Sequence, residues 1–320
     1  MDPLVSIVIP CHNAAPWLEA AVASARAQTW RCCEIILVDD GSTDGSGPLA
    51  DRLAGADMQV LHQKNRGQCG ALNRGLKSAQ GDYVEFLDAD DLLAPDKVSV
   101  QLGRLRDLAP GWIASCAWGR FSGDAAGAVF SPEPVWRDLS PVEWLITSWS
   151  GGGMMHGAAW LTPRGVIAAA GPWDESLTLI NDLDYFTRLL LASAGVAFCP
   201  AARTFYRSNV AGSLSRRTSR SAWESAFKAT ERSGAALVAR EDSPRVRRAC
   251  AINLQRLVHS AYPDVPDLVT RAERRIAELG GSDLPPGGGP VFQRLRRIVG
   301  WKAARRAQIL GRRLVKGSAR

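Results

Sequence analysis

Three times along this 320-residue chain a strand-like run leads to carboxylates: at Asp39-Asp40, at Asp88-Ala89-Asp90-Asp91 and at Asp182. Glu34–Val38 and Tyr83–Leu87 are short, largely apolar and β-prone, the signature of strands buried on both faces. Leu4–Pro10 and Met58–His62 read the same way. Between these runs, Trp17–Gln28 and Gly67–Ala79 have helical spacing, and Ser46–Leu53 suits a short helix. Strand–helix alternation with right-handed crossovers predicts an α/β fold: a Rossmann-like, mostly parallel sheet with helices on both faces. Such sheets bind ligands beyond the carboxyl ends of their strands, which is where these acids lie.

Further along, Trp112–Gly119 and Ala158–Thr162 read as strands and Pro141–Ser148 as a short helix. Gly151-Gly152-Gly153 reads as a mobile loop, and Leu183–Ala194 as an amphipathic helix. Val196–Cys199 and Thr204–Arg207 are expected as two short strands. From Arg217 to Leu279 the spacing is helical, broken at Pro244, Pro263 and Pro266. The Pro- and Gly-rich Leu284–Pro290 reads as a linker. The expected organisation is a sheet domain over 1–215, a helical extension over 216–284, and a linker with a basic tail over 285–320.

The net charge of +7 belongs to that tail. Residues 291–320 hold ten Arg or Lys and no acid, which leaves the other 290 residues at −3. Val291, Phe292, Leu295, Ile298 and Val299 share one side of a helical projection, opposite Arg294, Arg296 and Arg297. Beyond Gly300, Lys302, Arg305, Arg306, Arg312, Arg313 and Lys316 crowd one arc. Two short basic amphipathic helices suit an anionic membrane surface; a solvated tail is the other reading. Aromatics do not interleave with these cations as stacking platforms would, so nucleic acid is not an expected partner. Seven scattered cysteines without a CxxC argue against a disulfide framework or a zinc site and for a reducing, cytoplasmic setting. The chain starts directly with a strand and carries no apolar run long enough to span a bilayer. Its eleven tryptophans fit either an apolar core or a sugar-facing cleft.

Asp88 and Asp90, two apart in a turn, can point at one hard cation, and oxygen ligands of this kind suit Mg²⁺ or Mn²⁺. Asp91 either supports the metal-site carboxylates from behind or caps the next turn, with the cap favoured. Asp184 falls in the first turn of a helix, where an acid also offsets the helix dipole.

Taken in order, the motifs are Pro10-Cys11-His12-Asn13, Asp39-Asp40-Gly41-Ser42-Thr43-Asp44, Asn65-Arg66-Gly67, Phe86-Leu87-Asp88-Ala89-Asp90-Asp91, Gly171-Pro172-Trp173-Asp174-Glu175, Asn181-Asp182-Leu183-Asp184 and Tyr206-Arg207. This order and spacing resemble the GT-A fold, inverting glycosyltransferases of family 2, over about residues 4–215. The resemblance implies a nucleotide-sugar donor, a UDP-sugar first of all, a divalent metal, and a glycan or lipid-linked hydroxyl acceptor in cell-surface glycan synthesis. It assigns Pro10 and His12 to the turn that holds nucleobase and ribose, although the family usually has Tyr where His12 stands. Asn13 shapes that turn. Asp40 is assigned to the uracil ring and Asp39 to ordering the loop, with Arg66 near the donor. Asp88 and Asp90 match the metal motif, Asp88 with a ribose or metal-bound water as its alternative partner. Asp182 matches the general base that takes the proton of the acceptor hydroxyl. The histidine often found three residues after Tyr206 is Asn209 here, so no histidine metal ligand is expected there. His156 is either an acceptor-side residue or a structural one.

Other readings are open to test. A nicotinamide dehydrogenase would need GxGxxG after the first strand, and Pro10–Ala15 has no glycine. A sugar nucleotidyltransferase would share the sheet and the metal carboxylates but carry a Gly-rich basic triphosphate loop, which is absent. A non-catalytic module on the same fold would have no need for the acids at 88, 90 and 182.

Overall fold

The computed structural model describes residues 2–154, 156–210 and 218–317, with side chains described as far as residue 311. Its first half runs β1 (Val5–Cys11), α1 (Ala15–Arg26), β2 (Cys33–Asp40), α2 (Ser46–Leu53), β3 (Met58–Gln63), α3 (Gly67–Ser78) and β4 (Tyr83–Phe86). β3, β2, β1 and β4 lie side by side in parallel, as the alternation predicts. All seven residues of β1 are buried, which is why that run lacks any polar–apolar alternation. Gly75 lets α3 lie directly on β1: a Cβ there would come within 2.4 Å of Val8 Cγ1.

The second half adds β5 (Leu92–Leu93), α4 (Lys97–Arg106), β6 (Trp112–Phe121), β7 (Val129–Phe130), α5 (Pro141–Thr147), β8 (Leu161–Pro163), α6 (Arg164–Ala170), α7 (Asn181–Ala192) and β9 (Gly195–Arg207). The sheet continues from β4 in the order β8, β6, β9, β5, with β7 beside β6. The pairs β4–β8, β6–β8, β6–β7 and β5–β9 are antiparallel, so the parallel half passes into a mixed one. β9 is one strand where two were expected. Cys116 pairs with Cys199 but Ala117 with Arg203, so residues 200–202 are accommodated as an irregularity, and Pro200 marks it.

Glu85 carries the one charge inside β4. It is fully buried and ion-paired to Lys97, the first residue of α4, which is also fully buried. Lys97 Nζ also donates to Gln101 at 2.8 Å, and Gln101 Nε2 donates to Ala159 O at 3.0 Å. A polar strut of this kind costs desolvation on both ions and specifies how α4 sits under the sheet. The tryptophans resolve as core: all eleven are buried or pack partly buried against the core.

The C-terminal layer is helical: α8 (Arg220–Arg240), α9 (Pro244–Ala261), α10 (Pro266–Glu278), α11 (Pro290–Val299) and α12 (Trp301–Gly317). Prolines open α9, α10 and α11, where a missing N–H costs nothing. The tail is not detached. Trp301 packs edge-on against His259 and Tyr262, Phe292 is buried, and Lys302 pairs with Glu273 at 2.7 Å. Arg305 lies over Phe292 and Arg306 over Tyr262. The expected amphipathic projection is corrected here: Phe292 and the cations at 302, 305 and 306 face their own protein, drawn in by aromatic faces. The side chains of Arg312, Arg313 and Lys316 lie outside the described residues.

Candidate active site

The carboxyl ends of β1, β2, β3 and β4 open on one edge of the sheet. After β1, Asn13 takes a left-handed backbone (φ 53°) and its Oδ1 accepts from Thr43 N at 2.8 Å, which fixes the facing turn. His12 is exposed, with Nδ1 2.9 Å from Asp40 O. Pro10 is buried at the end of β1. Asp39 accepts from Ser42 N at 3.1 Å and sits 3.1 Å from His62 Nδ1, so it orders the loop. Asp40 is buried, and its Oδ1 accepts from both Gln63 Nε2 and Arg66 N at 2.7 Å. Any ligand contact of Asp40 therefore falls to Oδ2. The Arg66 guanidinium is turned to Glu175 at 2.6 Å; its backbone, rather than its charge, supports Asp40.

After β4 the chain makes a tight acidic turn, with Asp91 N donating to Asp88 O at 3.0 Å. Asp88 and Asp90 are half-buried and Asp91 is buried. Burial and then the adjacent Asp90 carboxylate push Asp88 up to about 7, with the Asp182 charge adding and a hydrogen bond from Gln68 opposing. Burial also raises Asp90, against the nearby Arg207 cation. Buried, crowded carboxylates, with Asp88 raised by its neighbours, are what a divalent cation would relieve. Among the described residues no three His, Cys, Asp or Glu side chains converge on one point. Two carboxylates completed by substrate phosphates is a common way to hold Mg²⁺, and Asp88 with Asp90 fits it.

Asp91 is not a cap; the cap of α4 is Asp96. Asp91 Oδ1 accepts from Arg207 N at 2.8 Å, and the Arg207 guanidinium donates to Asp90 O at 2.8 Å. The end of β9 thus clamps the turn from below. Asp91 Oδ2 faces His156 Nε2 at 3.3 Å without hydrogen-bond alignment. His156 is buried between Trp118 and Tyr206, and burial lowers it to about 3. Burial thus disfavours its charged form, and the ring lies against the acidic turn. Asn209 is an exposed left-handed turn residue (φ 64°). The glycines before His156 do not form a free loop: Ser148–Gly152 is a wide helical turn with Gly152 buried.

The first turn of α7 supplies Asp182. Ile180 precedes it with φ 56°, a strained value for a β-branched residue. Asp182 N donates to Asn181 Oδ1 at 3.0 Å, and Asp182 Oδ1 accepts from Leu183 N at 2.8 Å. The side chain reaches solvent, but protein crowds the recess around it, and this desolvation raises the carboxyl. Asp184 points inward to Arg188 at 2.9 Å and plays a structural part.

Sequence reasoning missed Gln68. Its Nε2 donates to Asp88 Oδ1 at 2.9 Å, and its Oε1 accepts from Asn181 Nδ2 at 3.2 Å. A half-buried amide at the first turn of α3 thus joins the acidic turn to the Asp182 loop.

Residues 6–131 match the family described as glycosyl transferase family 2. A glycosyltransferase of Rickettsia typhi is 34% identical over 202 residues, 60% of this chain and 60% of that protein. The glycosyltransferase GlyG of Streptococcus pneumoniae is 40% identical over 101 residues, 31% of this chain and 34% of that protein. The chain thus spans about 60% of the first relative and about a third of the second. Among solved structures, TarS 1–349 of S. aureus aligns with a TM-score of 0.63 at 13% identity, over 96% of this chain and 92% of TarS. The mannosyltransferase PcManGT of Pyrobaculum calidifontis, solved with GDP-Man and Mn²⁺, aligns with a TM-score of 0.58 at 18% identity, over 100% of this chain and 87% of that one. Over residues 6–131 the chain is thus similar to glycosyl transferase family 2, and its fold is the GT-A fold.

Proposed function

We propose that the protein is a metal-dependent, inverting glycosyltransferase that moves a sugar from a nucleotide sugar to a hydroxyl acceptor in cell-surface glycan synthesis. The observation that carries this is the nearness of two acidic groups: Asp88 and Asp90 in the turn after β4, and on the other side Asp182, linked to Asp88 through Gln68 and Asn181 and near enough for its charge to act on Asp88. One side suits a diphosphate leaving group and the other a proton acceptor. Asp182 takes the acceptor proton as the acceptor oxygen bonds the anomeric carbon. The bond from that carbon to the diphosphate breaks on the opposite face, so the configuration inverts. The raised carboxyl of Asp182 moves it toward the neutral range in which a general base works best. Asp88 and Asp90 would hold the Mg²⁺ or Mn²⁺, which would supply charge stabilisation to the departing diphosphate. Asp40 Oδ2, His12, Asn13 and Pro10 would form the nucleoside wall, with Arg66 supporting it through its backbone. TarS has been solved with UDP-GlcNAc and PcManGT with GDP-Man and Mn²⁺; Asp40 favours UDP here.

The test is thermal stabilisation and nucleotide release with UDP- and GDP-sugars, in Mn²⁺ or in EDTA. Metal-dependent stabilisation with nucleotide release supports the proposal. Pyrophosphate release from a nucleoside triphosphate and a sugar phosphate would mark a nucleotidyltransferase instead. Binding without turnover toward any acceptor would mark a non-catalytic module.

The same reading extends to a membrane. α11 leaves Val291 79% and Ile298 81% exposed, with Val299 and Leu310 also open to solvent. Exposed Arg294 and Arg297 flank them, and more cations follow in sequence. Apolar residues ringed by cations complement an anionic lipid surface, and no described helix is long and apolar enough to cross a bilayer. A peripheral position on the cytoplasmic face would bring lipid-linked acceptors to the cleft.

A further inference from the structure

We propose that Gln68 is a positioning residue that fixes the donor-side acid Asp88 and the acceptor-side base Asp182 in one frame. This rests on the glycosyl-transfer reading above. The hydrogen-bond chain is directional. A carboxylate only accepts, so the Gln68 amide must present its NH₂ to Asp88 Oδ1 (2.9 Å) and its carbonyl to Asn181 Nδ2 (3.2 Å). That leaves Asn181 Oδ1 to take the N–H of Asp182 (3.0 Å). Asn181 Nδ2 also lies 3.1 Å from Cys69 Sγ, the residue next to Gln68. Two adjacent residues of α3 therefore hold the start of α7.

The loop needs such a hold. Ile180 keeps a left-handed backbone, α7 has no side-chain N-cap, and strain of this kind persists only where surroundings over-determine it. Farther back along the same loop the anchoring is separate: Thr178 N and Leu179 N donate to Ser225 Oγ at 2.8 and 3.0 Å. Gln68 thus ties the start of α7 to Asp88 itself, and Ser225 ties the preceding loop to α8. Removing Gln68 should loosen Asp182 relative to Asp88 while leaving Leu179 in place.

The experiment compares Gln68→Met, which keeps length and loses both hydrogen bonds, with Gln68→Glu, which keeps the acceptor toward Asn181 and sets a like charge against Asp88. In hydrogen exchange without any substrate, we expect the Asp182 and Leu183 amides of Gln68→Met to exchange at least about 10-fold faster. The Leu179 amide and those of β1 should be unchanged. By calorimetry with Mn²⁺ and UDP, Gln68→Met should stay within about 2-fold of the parent while Gln68→Glu changes affinity by more. In turnover, Gln68→Met and Asn181→Ala should each lower kcat about 10-fold with little change in donor KM, and the double variant should fall no further. Unchanged exchange at Asp182 and Leu183 would overturn the proposal, as would fully additive losses. A Gln68→Met loss confined to donor affinity would also overturn it, reducing Gln68 to a support for Asp88 alone. Should the parent protein transfer no sugar, the functional reading falls, and the exchange data still decide the place of Gln68.

Discussion

Asp90 lies in the turn after β4 and Asp182 in the first turn of α7, and substituting each should fail in a different way. Asp182→Asn keeps the shape of the first turn of α7, and its Oδ1 can still accept from Leu183 N, so donor affinity should hold. Transfer should fall by roughly 10²-fold or more, the range for a positioned general base. Equal losses in donor binding and turnover would move Asp182 to the donor side. Asp90→Asn should instead weaken Mn²⁺ binding measured by calorimetry with UDP present, and remove the stimulation of turnover by metal. Undiminished turnover of that variant in EDTA would end the metal assignment. These acids were legible because each ends a strand-like run or opens a helical one. Gln68 was not, since its partners lie 20 and 113 residues away and no spacing rule joins them. Asp91 was misplaced for the same reason: the Arg207 N–H that occupies it arrives from a strand 116 residues on.

Between elements, the loop before α7 is fastened to α8 by charge. Lys228 lies 3.2 Å from Asp174, and Arg232 is ion-paired to the same carboxylate. Burial acts to raise Asp174, but hydrogen bonds from Ser176 and the Lys228 ammonium outweigh it and hold the carboxyl well below its ordinary value. A depressed folded pKa stabilises fully above the unfolded value, and that stability is lost as pH falls through the folded one. Asp174→Asn should therefore cost about 1–2 kcal/mol at pH 7, read as about 2–4 °C in Tm. The gap between the two proteins should shrink as pH drops from about 4 toward 2. A gap that stays constant through that window would detach the effect from ionisation. The parallel half of the sheet was legible because its strands are apolar throughout and its helices are periodic. The second half was less so: β9 carries an irregularity at residues 200–202 that interrupts its pattern without ending its pairing.

At the scale of the whole molecule, the tail is the part whose sequence pattern and structure diverge most. Helical projection offered Phe292 and the cations at 302, 305 and 306 to a membrane or to solvent, whereas the fold buries Phe292 under Arg305 and turns Lys302 to Glu273 of α10 and Arg306 to Tyr262 at the end of α9. Among the described residues of the tail, Val291, Ile298, Val299 and Leu310 remain as large apolar groups in solvent. The double variant Val291→Asp/Ile298→Asp should leave Tm and nucleotide binding unchanged and abolish co-sedimentation with vesicles rich in anionic lipid at low salt. Equal sedimentation of variant and parent would remove the membrane reading.

The docking of Trp301 on His259 and Tyr262 has a geometric consequence. α9 also touches the Ser148–Gly152 turn, where Arg256 reaches Trp149 O at 3.4 Å. An attachment made through α11 would therefore not act as a tether of variable length. It would work as a stand of fixed height, holding the cleft at a set altitude and tilt above the lipid plane. The reach of such a stand, as much as any pocket, would select which hydroxyl of a membrane-borne acceptor comes level with Asp182.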